Sequence, residues 1–218
     1  RSLIIVAVIV SSGLLAAPAV MQDMPIGTSP YDVVDGWLKP FAASGYSFGA
    51  TSAVFAESPD RIFIAQRGEN RLPDPVPPGF QGFLGSIGVR GNTASESRVW
   101  QNSIFIVDGD GNMTEAWTQW DDMFETDAEG PSGIHKIKIS PFDPDRKLWV
   151  ADTTNHQVHA FSNDGEELVM SLGAGGAGDD DNHFDRPWDM AFTEDGSIFV
   201  ADMGNSRIMK FDAEGNFV

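Results

Sequence analysis

The sequence predicts an all-β fold built from small antiparallel sheets repeated along the chain, and three observations carry that prediction. The first is a pattern written twice: Lys147–Asp152 reads KLWVAD and Ser197–Asp202 reads SIFVAD, fifty positions apart. Each is followed by an Asn-led turn and a second apolar run, NHQVHAF at Asn155–Phe161 and NSRIMKF at Asn205–Phe211. Each then closes on an acidic turn, NDG or AEG, so the unit is strand, tight turn, strand, turn. The second is spacing. With Phe63 in RIFIAQRG and Phe105 in SIFIVDGDG, equivalent positions fall at 63, 105, 149 and 199, gaps of 42, 44 and 50. A period of about 40 to 50 residues with strand-like content is that of propeller blades, which must stack because one blade cannot bury both its faces. The third is that no helical stripe of twelve residues competes with the strand pattern after position 22.

The bulk numbers bound what such a fold does. The chain has 218 residues, 32 acidic against 14 basic, for a formal charge of −18. That balance opposes binding of nucleic acid or an anionic membrane through bulk electrostatics. It equally suits the acidic turns of an all-β repeat protein. The absence of cysteine excludes a disulfide scaffold and thiolate chemistry. At about 45 residues per blade, four blades need roughly 180 residues and six about 270. The expectation is therefore about four blades here, in a propeller truncated at its C-terminus.

Taken in order, Leu3–Leu15 is an apolar run behind Arg1, and Ala17-Pro18-Ala19 follows it. This is the pattern of a signal peptide over residues 1–19, with secretion or a periplasmic location expected and an uncleaved anchor as the alternative. Residues 20–47 read as a lead-in, and 48–218 as the partial β-propeller, its repeats plainest at 134–172 and 185–218. Phe48–Gly68 gives two strands around SPD. Glu69–Ser97 is a long insertion rich in Pro and Gly, of the kind that forms lids or binding loops. Val99–Trp117 gives two more strands around GDGN, and Asp121–Gly130 reads as an acidic linker. The alternation in HKIKIS predicts that His135, Ile137 and Ile139 share one face, with His135 at the mouth of the strand.

His135 there is either a metal ligand directed at a central channel or a structural, hydrogen-bonded histidine. His156, His159 and His183 do not recur at its phase. Arg67, after a buried-looking strand and before Gly68, suits either anion binding or a surface ion pair. The acidic stretches at 108–110 and 179–181 lack the ordered loop and terminal Glu of a calcium hand and read as turns. Asp152 and Asp202 read as residues that fix turns by accepting backbone N–H bonds.

Asp185–Val218, DRPWDMAFTEDGSIFVADMGNSRIMKFDAEGNFV, resembles an NHL repeat, a blade of a usually six-bladed propeller. Together with IFIAQRGE, WTQWDDMF, HKIKISPFDPDRKLWVAD and HFDRPWDMAF, it makes the chain similar to the bacterial peptidyl-α-hydroxyglycine α-amidating lyase family. That resemblance implies a zinc-dependent cleavage of a peptidyl-α-hydroxyglycine to a peptide amide and glyoxylate. It implies His135 as a zinc ligand, with further histidines beyond Val218, and Arg67 as the catalytic arginine near the hydroxyl. It also implies a structural calcium held by backbone carbonyls, one matching Ile137 and another, less closely, Val54. The family's catalytic tyrosine lies in Asp-Gly-Tyr-x-Asn-x-Arg, where this chain reads ADMGNSR with Met203 at the tyrosine's place. A thioether is no proton acceptor, so this departure opposes lyase activity. The alternative is a propeller without chemistry that binds a peptide, glycan or protein partner.

Overall fold

The computed structural model describes residues 34, 36–39, 45–80, 98–126 and 133–218. The signal-like run and its Ala-x-Ala site lie outside them, as do residues 81–97 of the long insertion. Contacts divide the chain into Arg1–Asp35 and Gly36–Val218, and the second unit is the one described here. Among the described residues no helix is long and apolar enough to cross a membrane.

Among its described residues this unit has fourteen strands. They are β1 (Tyr46–Ser47), β2 (Thr51–Ser58), β3 (Arg61–Gln66), β4 (Glu69–Arg71), β5 (Arg98–Val99), β6 (Ile104–Val107) and β7 (Met113–Ala116). After a 3-10 turn and a one-turn helix α1 (Asp121–Phe124) come β8 (Ile134–Ile139), β9 (Leu148–Asp152), β10 (Gln157–Phe161) and β11 (Leu168–Leu172). The last three are β12 (Pro187–Phe192), β13 (Ile198–Asp202) and β14 (Arg207–Phe211). All pairings between them are antiparallel, in the sheets β2-β3-β6-β7, β8-β9-β10-β11, β12-β13-β14 and the small β1-β4-β5. The fold is all-β, with propeller-type blades.

Two expectations are corrected here. Phe63 and Phe105 are not successive blades, because β3 and β6 are neighbours in one sheet, with Ile64 opposite Phe105. The insertion lengthens the gap between them to 42 residues, close to one repeat, so spacing alone counted a blade too many. Three sheets follow the blade pattern, and the fourth, β1-β4-β5, is an accessory formed partly by the insertion. Asp121 is likewise no linker residue: it is buried on α1 and accepts the backbone N–H groups of Asn102 (2.9 Å) and Ser103 (2.8 Å).

The core lies between sheets, as stacking requires. Phe63, Ala65, Ile104, Ile106 and Trp117 of the first blade and its margin pack against Ile134, Ile137, Ile139, Val150 and Phe161 of the second. Trp149, Ala151, Val158 and Ala160 then meet Met190, Val200, Met209 and Phe211 of the third. Each fully buried Phe contributes about 1.5–3 kcal/mol relative to exposure. The outer face of the first blade is covered by Trp37, Leu38 and Phe48, and Trp37 Nε1 donates to the Gly109 carbonyl (2.8 Å).

The hairpin turns follow from their sequence. Asp152 Oδ1 accepts the N–H groups of Thr154 (3.0 Å) and Asn155 (3.1 Å), closing the turn as expected of an Asx residue. Asp202 works differently, with Oδ1 accepting Asp185 N–H (2.7 Å) and Oδ2 pairing with Arg207 Nε (2.9 Å). Asp108 accepts Asp110 and Asn112 N–H groups, so the DGDGN stretch is an Asp-led turn.

Candidate functional site at the bulged strands

The first strand of each blade, β2, β8 and β12, carries the same irregularity. In β8 the register runs Ile134 opposite Asp152 and then Lys136 opposite Ala151, leaving His135 as the extra residue of a β-bulge. Trp188 is skipped in the same way in β12, between Pro187 and Asp189, and Ser52 in β2, between Thr51 and Ala53. Each bulge is followed by a residue opposite an alanine: Ala65, Ala151 or Ala201. The three bulged residues therefore occupy equivalent positions on the strands that lead each blade.

The bulge overturns the expected phase of His135. An inserted residue shifts the side-chain alternation by one. Ile134, Ile137 and Ile139 are buried together, while His135 is turned off that face and is only partly covered. Val54 and Ile137, the two residues matched to calcium-binding carbonyls, do share a register position, opposite Ile64 and Val150 respectively. Their side chains differ: Ile137 is buried in the interblade core, whereas Val54 is 63% exposed on the first blade's outer side.

His135 is held by its neighbour blade. Its Nδ1 lies 2.8 Å from the Trp188 carbonyl, and its ring rests on the Trp188 indole with centroids 3.7 Å apart. A carbonyl only accepts, so Nδ1 carries the proton and Nε2 keeps its lone pair in the neutral ring. Burial pulls the imidazole pKa below its usual value, the Trp188 carbonyl opposes that, and the Arg67 charge adds to the lowering.

Arg67 joins the same cluster. Its Nε donates to the Ile134 carbonyl (3.1 Å), and burial followed by the nearby Arg98 charge lowers its pKa. Gly133, just before the bulge, is the reason these groups fit. It has φ +92°, and a Cβ there would sit 2.9 Å from Trp100 Cη2 and 3.9 Å from Arg67 Cγ. Arg98 Cζ stands 4.7 Å from the centroid of the same Trp100 ring. Asp189, following the bulged Trp188, pairs with Lys138 Nζ (2.7 Å). Met203 is 39% exposed and shares a shallow groove with Trp188, Ser206, Arg207 and Ile208.

The structure thus brings His135 and Arg67 together and leaves the other histidines elsewhere. His159 is buried within the second blade against Ser171 Oγ (2.8 Å), His183 pairs with Asp180 (2.8 Å), and His156 accepts the Arg186 N–H (3.0 Å). Among the described residues no three His, Asp or Glu side chains converge as a metal cluster. His135 with a free Nε2 fits one position in a zinc shell and does not make a closed site alone. Trp188, Asp189, Arg98 and Trp100 were not singled out from the sequence. Aligning the leading strands, IHKI with PWDM, is the signal that sets Trp188 in the place of His135.

The family model described as NHL repeat matches residues 184–211. The chain carries an NHL repeat. It is also 46% identical over 78 residues to the probable peptidyl-alpha-hydroxyglycine alpha-amidating lyase pgal-1 of Caenorhabditis elegans, covering 35% of this chain and 22% of that protein. To the peptidylglycine alpha-amidating monooxygenase of Rattus norvegicus it is 38% identical over 81 residues, 35% of this chain and 8% of the relative. The resemblance to the amidating lyases is therefore real, and the match spans about a fifth of the worm protein's length. Among solved structures, a virginiamycin B lyase from Staphylococcus aureus aligns over 77% of this chain and 40% of its own, at 12% identity and TM-score 0.42. A likeness at that level says nothing of this chain's chemistry.

Proposed function

We propose that this NHL-repeat chain is part of a secreted propeller resembling peptidylamidoglycolate lyases, in which His135 is a zinc ligand and Arg67 faces the substrate. The observation that supports it most is the fixed tautomer of His135, whose Nδ1–H is committed to the Trp188 carbonyl and whose Nε2 is left with a lone pair. Orienting a ligating imidazole through its other nitrogen is what a metal site needs. The metal, when bound, supplies Lewis acidity toward a substrate oxygen. Arg67 contributes a fixed positive charge beside it, anchored through Nε to the Ile134 carbonyl. A structural calcium at the Ile137 and Val54 carbonyls belongs to the same proposal, supported by their equivalent register. The ligand would be a peptide or small polar molecule.

Met203 favours a second reading. It stands where the resemblance calls for a phenol, exposed on the groove beside Trp188, and it supplies no acid or base. A propeller that binds a peptide, glycan or protein partner without chemistry accommodates it. Elemental analysis of the purified protein, beside His135→Ala, separates the two. The expected result is about one zinc per chain, lost in the variant, with turnover of a hydroxyglycine-extended peptide below that of a tyrosine-bearing relative. Absence of zinc from a folded protein would retire the lyase reading in favour of the binding one.

A further inference from the structure

Equivalent positions fill the two interblade joints differently at the end of the leading strands away from His135. Leu148 pairs with Phe161 and Ile198 with Phe211, so positions counted from these pairs correspond. Arg146 then matches Gly196, and Asn163 matches Ala213. Glu57 matches Ser140, each three residues after the equivalent Val54 and Ile137. Between the first and second blades Glu57, Arg146 and Asn163 form one polar cluster. Glu57 Oε1 accepts Arg146 Nε (3.0 Å) and Asn163 Nδ2 (3.2 Å), while Oε2 takes Arg61 Nε (3.1 Å). Between the second and third blades the same positions hold Ser140, Gly196 and Ala213, all smaller. Gly196 and Ala213 still meet there, since a Cβ added at Gly196 would stand 2.9 Å from Ala213 Cβ. Lys147, the counterpart of Arg61, is kept in its own turn by Asp143 (3.2 Å) and Asp145 (3.0 Å).

The small residues leave a cavity of about 210 Å³ in the second joint. Trp149, Met170, Phe192 and Ile198 line it, with Phe142, 50% exposed, beside them. The Trp149 and Phe192 rings stand 5.4 Å apart between centroids and give it an aromatic wall. An apolar cavity of about 150 Å³ takes up benzene, so this one has room for a phenyl ring with a short substituent. The charges around it decide which substituent. Lys147 is shared by two carboxylates, and Glu194, exposed in the lining, forms no ion pair among the described residues. The chain as a whole carries −18. An ammonium therefore meets attraction at this opening, from the carboxylates and from the aromatic faces, whereas an anion meets repulsion.

We propose that the cavity between the second and third blades binds a small aromatic amine, its ring between Trp149 and Phe192 and its ammonium toward Glu194. The ring takes the volume that Arg146 and Asn163 fill in the first joint, and removing its surface from water is the main driving force. Glu194 is the residue that sets the preference for a cation. The site lies at the opposite end of β8 and β12 from His135 and Trp188, so it is separate from the zinc reading and stands or falls without it.

The test is a calorimetric titration of the full chain, at neutral pH and low salt, with phenethylamine and with phenylpropionate. The amine is expected to saturate with a Kd of about 1 mM or below. The carboxylate should bind about tenfold more weakly or not at all. Glu194→Gln should weaken the amine about threefold, as befits an exposed charge, and leave the carboxylate no weaker. Ala213→Met, which extends a side chain where Asn163 fills the first joint, should abolish amine binding. Circular dichroism checks that each variant folds. Glu194 makes no contact within the chain that its substitution removes, so Glu194→Gln decides the matter if Ala213→Met does not fold. No saturable binding of the amine, equal binding of amine and carboxylate, or amine affinity unchanged in either folded variant would overturn the proposal.

Discussion

Acidification should destabilise this protein through His159 before its carboxylates titrate fully. The imidazole is 2% exposed, its Nδ1 contacts Ser171 Oγ at 2.8 Å, and Nε2 has no partner. An orphan lone pair costs less than an orphan N–H, which puts the proton on Nδ1, donated to Ser171. Burial lowers the pKa from 6.5 to about 4. Above 6.5 the ring is neutral folded and unfolded alike, and the group adds no pH dependence. As pH falls from there to about 4 the unfolded chain takes up a proton that the folded one refuses, so stability is lost as pH drops. At about 1.4 kcal/mol per pH unit, the full window is worth about 3 kcal/mol. Urea unfolding at steps between pH 7 and pH 4 measures it, with His159→Asn as the non-titrating comparison. Asn preserves a polar atom near Ser171 and cancels the carboxylate background common to both proteins. The variant should be less stable at pH 7 and lose stability less steeply below 6.5. Parallel pH curves for the two proteins would refute the reasoning.

Two further outcomes follow from an interblade joint and from the hairpin turns. Gly165 has φ +75° and an added Cβ would overlap the Trp117 ring, so Gly165→Ala combines left-handed strain with overpacking and should cost about 3 kcal/mol in urea unfolding. Asp202→Asn should cost about 2 kcal/mol because it removes the buried charge facing Arg207, which keeps only the carbonyls of Asp179, Asp180 and His183, whereas Asp152→Asn, whose side-chain partners are the neutral groups of Thr154 and Asn155, should cost about 1 kcal/mol. Equal losses at the two aspartates in the same melts would contradict the distinction.

What the sequence disclosed was local. The hairpins β9–β10 and β13–β14 were legible because alternation, turn residues and strand length all act within a dozen positions. His135 and Arg67 were legible as candidates for the same reason, each standing at a strand end. The bulge at His135 was not, since IHKIKI reads as perfect alternation and only its register with β9 reveals the extra residue. The pairing of β3 with β6 was hidden by an insertion that stretches the gap from Phe63 to Phe105 to 42 residues, a case where length imitates periodicity. Arg98 and Trp100 sat in an unremarkable SRVW, and their meeting with Arg67 depends on Gly133 from a different blade. Contacts made across blades leave no trace in a window of neighbouring residues.

The repeated bulge has a consequence for how such a protein changes. A residue in an ordinary ladder position answers to the packing of its face, and replacing it disturbs the stack. Ser52, His135 and Trp188 stand outside that alternation, each skipped by the strand beside it. A hydroxyl, an imidazole and an indole occupy the same slot on one scaffold, with the flanking ladder unchanged. Chemistry at this end can therefore be exchanged residue by residue while the cores between the blades go untouched, which separates the evolution of activity from the evolution of stability.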